Sequence, residues 1–179
     1  PEDYISKCTN IDYVKLDEKK HKKTIAEIHE FMDQLFPIPE LKAYMWSHLA
    51  SCLIGTNDNQ TFNIYTGSGA NGKSKLVDLI SKGLGEYKGT VPITLVIQKR
   101  IGIGSTSSEV VQLQGTRYAV MQEPSKGDKI NEGIMKEITG GDPIQARALF
   151  KDTITFVPQF KLVVCTNTDF EDMADDDGT

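Results

Sequence analysis

The sequence lacks the features that would place a protein in a membrane or in an oxidising compartment. It has no apolar run of transmembrane length and no secretory signal peptide. Its three cysteines, Cys8, Cys52 and Cys165, are widely spaced and follow no metal-ligand pattern. They are most simply reduced thiols, so we expect an intracellular protein without a membrane partner.

The sequence also lacks an excess of positive charge. Its 20 lysines and arginines are outnumbered by 25 aspartates and glutamates, which gives a net charge of −5. This balance argues against a strongly basic protein that wraps nucleic acid, but it allows a local basic surface. The 179 residues, 39% of them hydrophobic, suit one globular domain with a small helical appendage. Because the chain begins with Pro1, we expect a piece of a longer protein.

The most informative stretch covers residues 61–80 and reads TFNIYTGSGANGKSKLVDLI. It predicts a strand, a glycine-rich turn and a helix. The turn fits the P-loop pattern G-x-x-x-x-G-K-[ST], in which backbone N–H groups at the start of a helix surround phosphates. The residues predicted to bind a nucleotide are Gly67, Ser68, Gly69, Ala70, Asn71, Gly72, Lys73 and Ser74.

Each residue type in this turn has a chemical reason. Gly67, Gly69 and Gly72 can take backbone angles barred to other residues and let the main chain approach phosphate closely. Lys73 supplies a positive charge at the β- and γ-phosphates, and the Ser74 hydroxyl can ligate Mg²⁺. The alternative is a glycine-rich turn without a ligand, and the flanking strand and helix argue against it.

Two helices are predicted before the P-loop, over residues 17–35 and 40–53, from apolar residues at helical spacing. Prolines 37 and 39 separate them, because proline cannot continue a helix. We therefore divide the chain into a helical N-terminal region, residues 1–55, and a P-loop core, residues 56–179. The lysine run near residue 20 is better explained as a solvated helix start than as a nucleic-acid contact.

Further elements are predicted after the P-loop helix. The predicted strands cover residues 91–97, 116–123 and 161–166, and the predicted helices cover residues 109–113 and 129–139. Alternating residues at 144–150 and a second strand-like run at 153–157 predict a β-hairpin. Lys151 and Asp152 give that hairpin a charged tip, and its turn type stays open.

The strand at 116–123 ends in Glu123, because Pro124 cannot continue a central ladder. A carboxylate at the carboxyl end of a strand beside the P-loop lies where α/β sheets bind ligands. Glu123 could therefore orient water for attack on the γ-phosphate, or hold Mg²⁺. Gln122 occupies the position of the usual Asp, so metal binding must depend more on Ser74 and Glu123.

Four motifs together resemble those of a superfamily III helicase. They are most similar to the primase-helicases of poxviruses and other large DNA viruses, and of some phages and plasmids. Asn71 before the Gly-Lys pair is typical of that group. The motifs cover residues 67–74, 117–124, 136–143 with Ala146-Arg147, and 160–167, and their order matches over about residues 35–167.

The resemblance implies an AAA+-like ATPase that uses ATP and Mg²⁺, with a mostly parallel sheet sandwiched by helices. It implies that Glu123 is the Walker B acid, that Asn167 senses the γ-phosphate, and that both act with Lys73 in catalysis. It also implies a homo-hexameric ring that threads single-stranded DNA during genome replication. By the same analogy the hairpin grips DNA, with Lys151 near its tip and Arg147 in the motif before the sensor.

The same resemblance implies a place of action and a missing part. We expect the protein at a viral replication site in the host cell, or in bacterial cytoplasm if a phage or plasmid encodes it. The family's arginine pair after the sensor is not within residues 1–179, and no primase motif is present. These residues alone are therefore expected to hydrolyse ATP slowly and to remain mainly monomeric.

Two other classes of P-loop protein compete with this interpretation. A small-molecule kinase usually needs an arginine-rich lid, and the loop at 102–108 has no arginine. A non-hydrolysing nucleotide-switch or assembly module would not need Glu123 and Asn167, which both serve hydrolysis. Stabilisation by ATP with single-stranded DNA, rather than with nucleosides, would favour the helicase.

Overall fold

The computed structural model describes residues 6–97, 107–121 and 130–167. Within them the helices are α1 Lys22–Leu35, α2 Pro39–Ser51, α3 Lys73–Leu84, α4 Thr94–Ile97, α5 Ser108–Val111 and α6 Glu132–Thr139. The strands are β1 Phe62–Tyr65, β2 Lys88–Val91, β3 Tyr118–Met121, β4 Ile144–Arg147, β5 Thr153–Phe156 and β6 Lys161–Cys165. The chain is therefore a mixed α/β protein.

Four of the strands form one parallel sheet in the order β1-β6-β3-β2. Parallel strands need long crossover connections, and their sheets are normally covered on both faces. The predicted parallel sheet is confirmed. One expectation about it is wrong: β3, which precedes Glu123, does not lie beside the P-loop strand β1. Strand β6, which comes last among the described strands, is inserted between them, and short-range sequence patterns do not encode that insertion.

Helices cover both faces of this sheet. Successive side chains of a strand point to opposite faces, so Leu162 and Val164 pack with buried residues of α4, α5, α6 and the strands β4 and β5. On the other face, Val163 packs with Leu84 of α3 and with Cys52 after α2. The predicted arrangement of helices on both sides of the sheet is confirmed.

The two N-terminal helices pack against α3. Met32 of α1, Met45 and Leu49 of α2, and Leu76 of α3 form one buried cluster. The helix α1 begins at Lys22 rather than at residue 17, and in the turn before it the Asp17 carboxylate accepts the backbone N–H groups of residues 19 and 20. Among the described residues, no helix is both long enough and apolar enough to span a membrane.

The strand predicted at residues 91–97 is wrong. Val91 is the last residue of β2, Pro92 follows it, and Thr94–Ile97 forms α4. Proline cannot donate to a ladder, so the pairing stops there, and the residues that follow form a short helix in which Val96 is buried. The strand lies earlier, at Lys88–Val91. Gly89 is closely packed there, because a Cβ on it would lie 3.1 Å from the side chains of Leu113 and Thr116.

The predicted hairpin is confirmed. Strands β4 and β5 pair antiparallel from Ile144 opposite Phe156 to Arg147 opposite Thr153. The pairing ends at Arg147, so the turn, residues 148–152, is longer than the two-residue tip that the sequence suggested. The Ser107 backbone N–H donates to the Arg147 carbonyl at 2.8 Å, and the Arg147 N–H donates to Ser107 Oγ at 3.1 Å. These bonds attach the hairpin to the start of α5.

Candidate functional site

The glycine-rich loop connects β1 to α3, as predicted. Gly67 has φ +149°, Ala70 +61° and Gly72 +87°, so the backbone repeatedly takes angles that L side chains rarely adopt. A Cβ on Gly67 would clash with Asn71 Nδ2, and a Cβ on Gly72 would lie 2.8 Å from a Leu35 methyl group. Glycine is thus required at positions 67 and 72.

The other predicted loop residues have more room. A Cβ on Gly69 would meet no atom within 4 Å, so close packing does not require glycine there. Ser68, Ala70 and Asn71 are exposed. The loop therefore combines a fixed backbone at its two ends with an open middle that solvent or a ligand can reach.

The loop ends at the N-terminus of α3. Gly72 is the N-cap, and no side chain caps the helix there. The first helical bond runs from Leu76 N–H to the Gly72 carbonyl at 3.0 Å, and the first turn contains no acidic residue. The N–H groups of a first turn have no partner within the helix and carry partial positive charge. An anion such as a phosphate fits this arrangement.

The Lys73 ammonium points back into the loop. Its Nζ donates to the Gly67 carbonyl at 2.6 Å, to Asn71 Oδ1 at 3.0 Å and to Asn167 Oδ1 at 3.0 Å. An ammonium has three donors, and these three acceptors are all neutral oxygens. In the part of the chain that the structure describes, no carboxylate pairs with this half-buried charge. An anionic ligand would provide a counter-charge at this position.

Asn167 reaches this site because β6 lies next to β1. The last residues of the two strands, Tyr65 and Cys165, are directly paired, and Thr166 N–H donates to the Tyr65 carbonyl at 3.1 Å. The glycine-rich loop after β1 and Asn167, two residues after β6, therefore lie side by side. Two residues that the sequence singled out separately, Lys73 and Asn167, are in contact.

Of the two predicted metal ligands, Ser74 lies within the described residues and Glu123 lies outside them. Ser74 is exposed in the first turn of α3, next to Lys73, so its hydroxyl is accessible to an ion that accompanies a phosphate. No group of three or more His, Cys, Asp or Glu side chains that could hold a metal occurs within residues 6–97, 107–121 and 130–167. Glu123 lies outside the described residues, and its roles as catalytic acid and Mg²⁺ ligand stay predictions.

Sequence reasoning missed a polar pair formed by buried His48 and half-buried Tyr65. His48 Nε2 and the hydroxyl of Tyr65, the last residue of β1, share a hydrogen bond of 2.9 Å. Burial, with a smaller contribution from the Lys161 charge, lowers the pKa of His48. Burial likewise raises the pKa of Tyr65. The signal in the sequence was a histidine between Met45 and Leu49 on the apolar face of α2.

The predicted DNA-binding residues lie on the hairpin, which belongs to a separate two-stranded sheet. Lys151 is exposed in the turn, and its backbone N–H donates to the Ala148 carbonyl at 3.1 Å. Arg147 is the last residue of β4 and is half-buried. Phe150, between them, has 95% of its surface exposed, although the alternating pattern places it with the apolar residues of the hairpin.

The fold and the loop define a mixed α/β protein with a parallel sheet and a glycine-rich turn after its first strand. Residues 65–179 match the model of a family of unknown function, DUF5906, and the chain belongs to that family. A solved structure, the apo C-terminal region of NrS-1, has a TM-score of 0.61 at 11% identity, and the similarity covers 96% of this chain and 38% of that one. That similarity concerns the fold alone.

Curated relatives come from large DNA viruses. A protein of Acanthamoeba polyphaga mimivirus, named "Putative helicase", is 42% identical over all 179 residues, which span 18% of its length. Another "Putative helicase", from Invertebrate iridescent virus 3, is 30% identical over 92% of this chain and 18% of its own length. A "Putative primase" of African swine fever virus is 27% identical over 79% of this chain and 15% of its own. The resemblance to viral primase-helicases is confirmed.

Proposed function

We propose that this chain is the ATP-binding core of a viral superfamily III helicase that hydrolyses ATP to move along single-stranded DNA during genome replication. The observation that carries the proposal is the position of the Lys73 ammonium, held by Gly67, Asn71 and Asn167 at the start of α3. A positive charge surrounded by neutral oxygens at a helix N-terminus suits a polyphosphate.

ATP would bind along the loop, residues 67–74. Charge-assisted hydrogen bonds to phosphate oxygens are stronger than bonds to neutral oxygens, so the phosphates would replace some of the present partners of Lys73. Ser74 and Glu123 are the residues that would hold Mg²⁺, which neutralises charge on the phosphates when it is bound. Glu123 would orient the attacking water. Asn167 would contact the γ-phosphate, since its amide already reaches Lys73 Nζ.

The DNA would bind on the other sheet. The hairpin tip presents Lys151 to solvent, and Arg147 lies at the end of β4. Lysine can contact backbone phosphates without reading bases, which suits a motor that must pass every sequence. We further propose that the full-length protein assembles as a homo-hexamer around one strand, at the viral replication site inside the host cell. The hexamer and the place of action follow from the resemblance to superfamily III helicases, and the viral relatives named "Putative helicase" support a viral helicase.

The test is ATP turnover by the full-length protein, measured as phosphate release with and without single-stranded DNA. The proposal expects turnover that needs Mg²⁺ and rises when single-stranded DNA is added. A nucleoside added in place of DNA provides the contrast with a small-molecule kinase. Phosphate transfer to the nucleoside would contradict the helicase assignment and support a small-molecule kinase. ATP binding without any turnover would contradict it too and support a non-hydrolysing switch or assembly module.

A further inference from the structure

The turn of the hairpin carries an aromatic residue in an unusual state. Phe150 is 95% exposed, and its φ of +59° lies in the left-handed region. Bulky residues rarely adopt that region, which favours glycine and asparagine. Both its conformation and its contact with water therefore cost free energy, and no packing within the described residues offsets the cost. Backbone outliers of this kind point to a functional constraint at the turn.

The rest of the hairpin is firmly held, so this exposure is not the result of a loose segment. Ile144, Ala146 and Phe156 of its two strands are buried in the main core. The two hydrogen bonds between Ser107 and Arg147 tie the last paired residue before the turn to the start of α5. Lys151 N–H closes the turn on the Ala148 carbonyl. A rigid base therefore presents the Phe150 ring to solvent at a fixed place, as binding residues on loops require.

Charge alone does not explain how such a tip would hold a nucleic acid. The exposed residues of the turn include Lys151 and also Asp152, so their formal charges cancel. A phosphate contact from Lys151 is thus opposed by a neighbouring carboxylate. An aromatic ring supplies affinity by a different route, because every base has a flat face on which it can stack, whatever the sequence.

We propose that Phe150 is a stacking platform for a base of single-stranded DNA, beside the phosphate contact of Lys151. The inference rests on the proposed DNA-translocating function and adds the group that contacts the bases. The competing occupant of an exposed apolar tip is a second copy of the chain, with Phe150 packed between subunits. The experiment below separates these two cases.

The experiment uses the full-length protein and fluorescence anisotropy with two labelled oligonucleotides, one of thymidines and one of the same length made of abasic sites. A non-hydrolysable ATP analogue keeps translocation out of the measurement. Phe150→Ala is expected to weaken binding of the thymidine oligonucleotide about fivefold or more, the loss that removal of one stacking contact brings. On the abasic oligonucleotide the same variant should bind like the wild type, because no base is available to stack.

Two variants serve as matched controls. Phe150→Trp keeps an aromatic face and should retain most of the affinity. Leu149→Ala removes the neighbouring apolar side chain, which is 59% exposed, and should leave binding unchanged. Lys151→Ala should weaken binding of both oligonucleotides alike, because a phosphate contact does not depend on the base.

Each possible outcome bears on the inference. Wild-type affinity in Phe150→Ala, or equal losses on both oligonucleotides, would overturn the stacking role and leave the helicase proposal standing. A smaller oligomer in analytical ultracentrifugation, with unchanged affinity per subunit, would place Phe150 at a subunit contact and also overturn it. If the wild type binds neither oligonucleotide, the proposed function itself fails.

Discussion

The Lys73 ammonium and the side-chain oxygen of Asn167 lie 3.0 Å apart, although 94 positions separate the two residues in the chain. The contact exists because β6 pairs with β1 and both strands end at the same edge of the sheet. It joins the glycine-rich loop to a residue two positions beyond β6. The nucleotide site proposed for this protein is therefore built at the ends of two neighbouring strands, β1 and β6.

Replacement of Lys73 tests the phosphate-binding role directly. Lys73→Ala removes the charge in the loop, and we expect nucleotide affinity to fall at least about tenfold, or about 1.4 kcal/mol. Isothermal titration calorimetry with ATP and Mg²⁺ measures the effect. Lys75→Ala, an exposed lysine two positions further along α3, is the matched control and should bind ATP like the wild type. Unchanged affinity in Lys73→Ala would refute the role.

The backbone geometry of the loop gives a second prediction. Gly67→Ala places a Cβ at a residue with φ +149° and pushes it against Asn71 Nδ2. Asn71 cannot move away without losing its contact with Lys73 Nζ. We expect nucleotide affinity to fall at least about tenfold, because strain of this kind costs roughly 1–3 kcal/mol.

Gly83 offers the matched control for that substitution. It lies within α3, and a Cβ there would meet no atom within 4 Å. Gly83→Ala should leave ATP affinity unchanged and raise the free energy of unfolding by roughly 0.5–1 kcal/mol, since alanine favours a helix over glycine. Equal ATP affinity in the two alanine variants would show that the loop geometry at Gly67 does not matter for binding.

Local patterns predicted the elements that carry their own signal. The P-loop strand and helix, the two N-terminal helices and the hairpin between Ile144 and Phe156 are present, because apolar periodicity and proline or glycine breaks specify them. The apolar run at 91–97 was wrongly predicted as a strand, because a short apolar run suits a buried strand and a buried helix equally well. Pro92 was the residue that decided between the two.

The order of the strands and the contacts between distant residues could not be predicted from the sequence. Nothing in residues 161–165 indicates that this strand enters between β1 and β3, since strand order depends on how the whole chain packs. For the same reason the contact of His48 with Tyr65 could not be foreseen from a helix and a strand considered separately. The motif resemblance selected Asn167, but only strand order explains why it reaches Lys73.

The hydrogen-bonded pair of His48 and Tyr65 predicts a pH dependence of stability. The pKa of His48 is lowered in the folded state from its ordinary value of 6.5, mainly by burial. The unfolded chain therefore binds a proton below about pH 6.5 that the folded chain does not. The stabilising contribution is complete above that pH and is lost as the pH falls, by at most about 1.4 kcal/mol per pH unit.

Chemical denaturation at about pH 7.5 and about pH 5.5 measures this contribution. His48→Gln cannot take up the proton but can still bond to the Tyr65 hydroxyl, so its stability should fall less on acidification than that of the wild type. His29→Gln changes an exposed histidine on α1 and should follow the wild type. If His48→Gln loses as much stability as the wild type, His48 is not the titrating group.

Replacement of Glu123 tests whether nucleotide binding can be separated from hydrolysis. Glu123→Gln keeps the shape of the side chain but removes the charge that polarises the attacking water, so turnover should drop about a hundredfold or more while ATP still binds. Steady-state phosphate release by the full-length protein gives the rate, and calorimetry gives the affinity. Glu132→Gln changes an exposed carboxylate on α6 that pairs with Lys136 and is the control. Turnover near the wild-type value in Glu123→Gln would exclude it as the catalytic acid.

Asn167 provides the sharpest test of the site, because its side chain contacts Lys73 without belonging to the loop. Asn167→Ala removes one of three oxygens around the ammonium and leaves Gly67 and Asn71 in place. ATP affinity should therefore change by less than about threefold, whereas turnover should fall about tenfold or more if the amide contacts the γ-phosphate. A structural role would instead lower affinity, turnover and stability together. Affinity for ADP adds a further measurement: it should equal that of the wild type, because ADP has no γ-phosphate, and a loss for ADP as large as that for ATP would contradict the sensing role.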